Sequence, residues 1–135
     1  MLRAATYGDG WHPYYMTVET YQKSVEGVKE FAKEIGRKLP DDYGWYLYTT
    51  WQMGDTYDEA LDKALKRKRY GRDLGDRIKK YDILGTPKDC IERLEEFIDA
   101  GCRYFVVSQE GDWEDFMKSL AKIGKEVIPH FKNKS

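Results

Sequence analysis

The sequence predicts an α/β fold with parallel strands, about three βα units of a (β/α)8 TIM barrel, and three observations carry that prediction. The first is the stretch Gly85–Val107, in which a capped amphipathic pattern passes through glycine into an apolar run. The second is the alternation of extended and helical patterns along all 135 residues, which implies parallel strands joined by right-handed crossovers. The third is the aromatic segment Tyr43–Trp51, which sets Trp45, Leu47, Thr49 and Trp51 on one face and Tyr46, Tyr48 and Thr50 on the other. Crossover helices cover one face of a curved three-stranded sheet, and the other is the face that a closed barrel buries in its own core. A complete barrel needs about 250 residues, so the chain supplies about three of eight units.

Leu2–Tyr7 carries Leu2, Ala4 and Ala5 without a capping residue or upstream turn, and reads as the tail of a helix that Gly8 ends. Trp11–Tyr15 reads as a short strand, interrupted because Pro13 has no N–H to give a ladder. Thr17 caps the next helix, whose stripe of Val18, Tyr21, Val25, Val28, Ala32 and Ile35 runs to Gly36. After the turn Leu39–Asp42, the aromatic and β-branched run Tyr43–Trp51 is the strongest strand. Asp55 or Thr56 caps a helix with Tyr57, Ala60, Leu61, Ala64 and Leu65 on one face. It ends in the basic run Lys66–Arg69, which serves either as a solvated complement to the helix dipole or as a phosphate patch. Gly71–Leu84 has no clear period, although Leu74, Ile78 and Tyr81 fit a short helix. Thr86 at N-cap, Pro87 at the first helical position and Asp89 in the first turn then open a helix. Its stripe is Ile91, Leu94, Phe97 and Ile98, and Gly101 closes it before the strand Cys102–Ser108. A final helix begins at Asp112, carries Trp113, Phe116, Met117, Leu120, Val127 and Ile128, and is expected to end at Pro129.

Residues 1–135 are expected to form a single domain with one core. Lysine plus arginine (23) balance aspartate plus glutamate (24), so no global field draws the chain to nucleic acid or an anionic membrane. No apolar stretch approaches the roughly 20 residues that span a bilayer and no export signal opens the chain, so a cytoplasmic location is expected. Cys90 and Cys102 bracket a helix that holds them roughly 15 Å apart, too far to bridge. With no histidine or further cysteine at ligand spacing, no metal site is expected and both thiols read as packing groups.

The order and signatures of these elements resemble the C-terminal part of the luciferase-like flavin and deazaflavin oxidoreductase family. The resemblance rests on Arg3-Ala-Ala-Thr-Tyr-Gly-Asp-Gly-Trp-His-Pro13, on Gly85-Thr-Pro-Lys-Asp-Cys90 with Ala100-Gly101 and Phe105-Val-Val107, and on Ile123-Gly-Lys-Glu-Val-Ile-Pro-His-Phe131. The last two are most similar to the archaeal branch that uses coenzyme F420 and includes methylenetetrahydromethanopterin reductases. Members are full barrels more than twice this length. Their N-terminal strands, the insertion that shapes the cofactor cleft and the Gly-Gly turn before Arg-Ala-Ala have no counterpart here.

Barrel chemistry sits where strands end and the following loops begin. Those positions are Trp11, His12 and Tyr14 after the first strand, Trp51 and Gln52 after the second, and Ser108, Gln109 and Glu110 after the third. The resemblance implies that the rings wall a planar cofactor, coenzyme F420 or FMN, while His12, Gln52 and Gln109 hydrogen-bond its carbonyls or a small-molecule substrate. His12 suits a proton donor or anion contact, and equally a backbone-bonded structural role. Asp112 has sufficient work as a cap, which leaves no carboxylate pair with Glu110, and no catalytic residue is assigned. The implied activity is hydride transfer with a deazaflavin or flavin-dependent monooxygenation, in a site completed by a homo-oligomer or a complementary barrel half. The alternative is a non-catalytic partial barrel that persists by self-association, with the face bearing Trp45 and Trp51 buried against a second copy.

Overall fold

The computed structural model describes residues 1–66, 75–109 and 111–132, so Arg67–Arg69, Leu74 and Glu110 lie outside the described residues. The element order is α1 (Leu2–Tyr7), β1 (Gly10–Trp11), α2 (Val18–Glu34), β2 (Gly44–Met53), α3 (Tyr57–Lys66), α4 (Gly75–Tyr81), β3 (Ile83–Gly85), α5 (Pro87–Asp99), β4 (Tyr104–Ser108), α6 (Trp113–Lys122) and α7 (Ile128–Lys132). β1 and β3 each pair with β2 in parallel, and β4 also pairs with β2. The chain is therefore an α/β partial barrel. Its contacts fall into two compact units.

The first unit comprises Met1–Thr49 and Glu96–Val106. Gly10 and Trp11 pair with Gly44 and Trp45, and after Pro13 only the bridge from Tyr14 to Tyr48 remains. The proline stops the ladder early, as its missing N–H requires. Thr17 caps α2 by accepting from the Thr20 N–H at 3.2 Å. The α2 stripe buries Tyr21 and Val25 against Leu47, Phe97, Ala100 and Cys102, with Trp11, Trp45 and Phe105 packed around them. The Tyr21 hydroxyl donates to the Tyr46 carbonyl at 2.9 Å, which satisfies a polar group inside this apolar cluster. Gly101, at φ +104°, ends α5, and the Cys102 N–H reaches back to the Phe97 carbonyl.

Strand alternation then assigns the faces of β2. Trp45 and Leu47 turn toward the helices, whereas Tyr46 and Tyr48 turn away from them. The expectation that Trp45 lines a face left for a second copy is thereby corrected, because its ring lies against Tyr43 and Trp11. Period-two patterning separates two faces without saying which one the helices meet.

The second unit comprises Thr50–Glu95 and Val107–Ser135. Here Trp51, Gln52 and Met53 pair with Ile83, Leu84 and Gly85 of β3, a strand the sequence reading lacks. Trp51 is buried as well, which removes it from any face open to a second copy. Ala60, Ala64, Ile78 and Leu84 form the core cluster, with Leu61 packed on it. Thr86 and Asp89 make a reciprocal capping box at the start of α5: Asp89 Oδ2 accepts from the Thr86 N–H and hydroxyl, and Thr86 Oγ1 accepts from the Asp89 N–H. Pro129 does not end the last helix. A π-helical turn, Ile123–Val127, leads without a break into α7, so Pro129 lies inside a continuing helical run just after a locally widened turn. Among the described residues, no helix is long and apolar enough to cross a membrane.

Gly85 adopts φ +122°, and a Cβ there would lie 2.6 Å from Asp89 Oδ2, inside the capping box. Gly85→Ala is expected to cost about 2 kcal/mol, from backbone strain plus the loosened cap. Urea unfolding checks this, and a cost below about 0.5 kcal/mol would contradict the geometry.

Candidate functional site

In the second unit the ends of β2 and β4 meet the start of α6 through one carboxylate. Asp112 caps α6 by accepting from the Asp115 N–H at 2.8 Å, which fixes the first turn and aims the Asp115 side chain. Gln52 Nε2 donates to Asp115 Oδ2 at 3.0 Å and Gln109 Nε2 donates to the same oxygen at 2.8 Å. Lys63 Nζ, from α3, reaches Oδ1 at 2.7 Å and also pairs with Glu59 at 2.9 Å. Burial would raise the Asp115 carboxyl, but the bonds from Lys63 and Gln52 outweigh it and hold the group below its ordinary value. Lys63 is raised in turn, first by the hydrogen bond to Asp115 and then by that to Glu59.

Two candidates from the sequence, Gln52 and Gln109, are therefore brought together by a residue that sequence reasoning missed. Asp115 sits three positions after a cap, where an acid ordinarily complements the helix dipole, and no local signal ties it to Gln52, 63 residues away. The network also orients both amides. A carboxylate only accepts, so each glutamine must turn its NH2 to Asp115 and keep its carbonyl Oε1 for any ligand. Two further candidates hold buried polar atoms with no hydrogen-bond partner among the described residues, Trp51 Nε1 and Ser108 Oγ.

In the first unit the side of β2 turned from the helices is aromatic. Tyr104 stacks on Tyr46 with centroids 4.8 Å apart, and the His12 ring lies 5.5 Å from Tyr46 and 6.3 Å from Tyr48. Tyr14 continues the row, 5.2 Å from Tyr48 and 5.6 Å from Tyr15. His12 and Tyr14 thus lie among rings. Tyr15 takes the left-handed conformation at φ 57°, a strained choice for a tyrosine, and its N–H donates to the Tyr48 carbonyl at 2.8 Å. Trp11, by contrast, turns to the helix side, with its ring 5.2 Å from Tyr21. Among the described residues no group of three or more metal-ligating side chains is found.

The alternation of tyrosines away from the helices and apolar groups toward them is the arrangement of a barrel wall, and comparison with known proteins shows barrels to which the chain is similar. No family model matches the chain. It is 25% identical over 148 residues to a 5,10-methylenetetrahydromethanopterin reductase of Methanopyrus kandleri, covering 83% of this chain and 42% of that protein. A reductase of the same name from Archaeoglobus fulgidus is 38% identical over 78 residues, 55% of this chain and 23% of the relative. Among solved structures, the coenzyme F420-dependent tetrahydromethanopterin reductase from Methanopyrus kandleri superimposes with a TM-score of 0.73 at 23% identity, over 97% of this chain and 48% of that one. The monooxygenase RslO1 from Streptomyces bottropensis gives the same TM-score at 18% identity, over 96% and 44%.

The chain is similar in sequence to part of these reductases and shares the fold of part of the F420-dependent and flavin-dependent structures. It spans less than half the length of the curated relatives it matches.

Proposed function

We propose that this chain is part of a luciferase-like oxidoreductase, with coenzyme F420 as the cofactor and FMN as the alternative, and that a second copy or a complementary barrel half completes the site. The observation that carries the reading is the ring row Tyr104, Tyr46, His12, Tyr48 and Tyr14 on the helix-free side of the strands. Tyr14 and Tyr104 are each more than half exposed there, which offers flat apolar area to a planar ring system. The second unit, taken by itself, holds a buried Ser108 hydroxyl without a partner among the described residues and two amides, Gln52 and Gln109, whose NH2 groups are turned to Asp115. A deazaflavin in such a site supplies the hydride chemistry. The protein's share is position: the rings of the first unit hold a plane against which a planar ring system packs.

Partial coverage supports the need for completion, and a specific observation favours self-association as the second reading. On α6, Trp113, Met117 and Leu120 share one face and are 73%, 46% and 42% exposed, an apolar stripe that a lone soluble chain usually avoids.

The test is titration of the purified chain with coenzyme F420 and, in parallel, FMN, read by tryptophan quenching, with mass by light scattering in the same samples. Saturation near one cofactor per chain or dimer is expected. Tyr46→Leu, which removes the central plane, is expected to weaken binding at least about tenfold. A clean monomer that binds neither cofactor, alone or with a complementary half, overturns the proposal.

A further inference from the structure

The first unit holds a cleft of about 740 Å³ on the helix side of β2, where Trp45 lies, rather than on the side of Tyr46 and Tyr48. Its lining comes from the last turns of α2, the following loop, the first residues of β2 and the turn before β4. Five cations line it, Lys29, Lys33, Arg37, Lys38 and Arg103, around Trp45. In a chain whose basic and acidic residues balance, this is a local concentration.

Part of that charge has structural work. Arg37 donates to the carbonyls of Ala5 and Gly8, closing α1, and Arg103 donates to those of Ile98 and Cys102, closing α5. Both guanidiniums are thus held by neutral acceptors, which fix their positions and leave their charge in place. The ends of α1, α2 and α5 each offer about half a negative charge, about one and a half together. Two carboxylates approach: Asp41 lies 3.7 Å from Lys38 and Asp9 lies 4.0 Å from Arg37, both almost fully exposed and so screened by salt. Three helix ends and two screened carboxylates do not offset five cations. Lys29 meanwhile rests over the Trp45 ring, 5.4 Å from its centroid, an uncharged partner.

We infer that this cleft binds a small phosphate-bearing anion, with the fixed guanidiniums of Arg37 and Arg103 as its floor and Lys29, Lys33 and Lys38 closing over it. Guanidinium forks suit phosphate oxygens, and a concave basic site focuses its field on such a ligand. The site is separate from the ring row and independent of the cofactor reading.

Calorimetric titration with sodium pyrophosphate tests it, at low and at physiological salt, with amide shifts of Gly36 and Gly101 as the local readout because both line the cleft. Saturable binding that weakens with salt and shifts those two amides is expected. Lys33→Glu with Lys38→Glu, both exposed, should weaken it at least about tenfold, while Lys23→Glu with Lys88→Glu, the same change of charge outside the cleft, should alter it less than about twofold. No binding by the unaltered chain, equal loss in both double variants, or shifts confined to other amides would each overturn the inference.

Discussion

Asp115→Ala is expected to destabilise the chain by about 3 kcal/mol and to abolish whatever orientation Gln52 and Gln109 share. The magnitude follows from what is left behind. Gln52 is 1% exposed, and its amide loses its one charged acceptor, keeping only the longer bond to the Met53 carbonyl. A buried donor stranded in this way costs about 1–3 kcal/mol, and the half-buried ammonium of Lys63 loses its closest partner as well. Asp115→Asn separates the contributions, since it keeps the shape and one acceptor but not the charge. The folded carboxyl is held below its ordinary value of 3.8, while the unfolded one titrates near about 3.9. Its contribution is therefore complete above about pH 5 and disappears as pH falls through the lower, folded value. Urea unfolding at pH 7 and pH 3 reads this directly: the gap between the parent chain and Asp115→Asn should narrow in acid. A gap that stays constant across that range would show that the ion pair with Lys63 contributes nothing.

Phe97→Ala is expected to cost about 4 kcal/mol, the largest single effect of an apolar truncation in the first unit. The Phe97 side chain is fully buried, edge-on to Tyr21 at 5.9 Å and near Phe105 at 6.4 Å. Those rings join α2, α5 and β4, so the cavity cannot close by moving one loop. Loss of the near-ultraviolet circular dichroism of these rings at lower denaturant than in the parent chain is the measurement. A cost under about 1.5 kcal/mol would mean that the cluster collapses around the gap.

The passage from α5 into β4 was the most legible part of the sequence, because each boundary has a local cause. Thr86, Asp89 and Gly101 act on backbone groups within a few residues of themselves, and the structure shows each bond. β3 was illegible for the opposite reason: Ile83–Gly85 is too short to show a period, and what makes it a strand is the neighbouring Trp51–Met53. Pro129 was misread because a proline signals a helix end only when the preceding turn is regular. For the candidate site, strand-end logic names His12, Tyr14, Gln52 and Gln109 from position alone, and it could not see that Trp11 turns to the helices. Asp115 was beyond reach, since its function depends on partners in α3, β2 and the segment after β4.

The two thiols have a practical consequence. Cys90 is fully buried, with burial pushing its thiol up to about 12, and Cys102 is likewise buried and raised. Neither presents a thiolate to a reagent while its surroundings stay closed. Cys102 belongs to the first unit and Cys90 to the second. Alkylation therefore acts as a pair of clocks built into one chain, in which each sulfur is modified only as often as its own half breathes open, and peptide mapping of the products times the two halves separately.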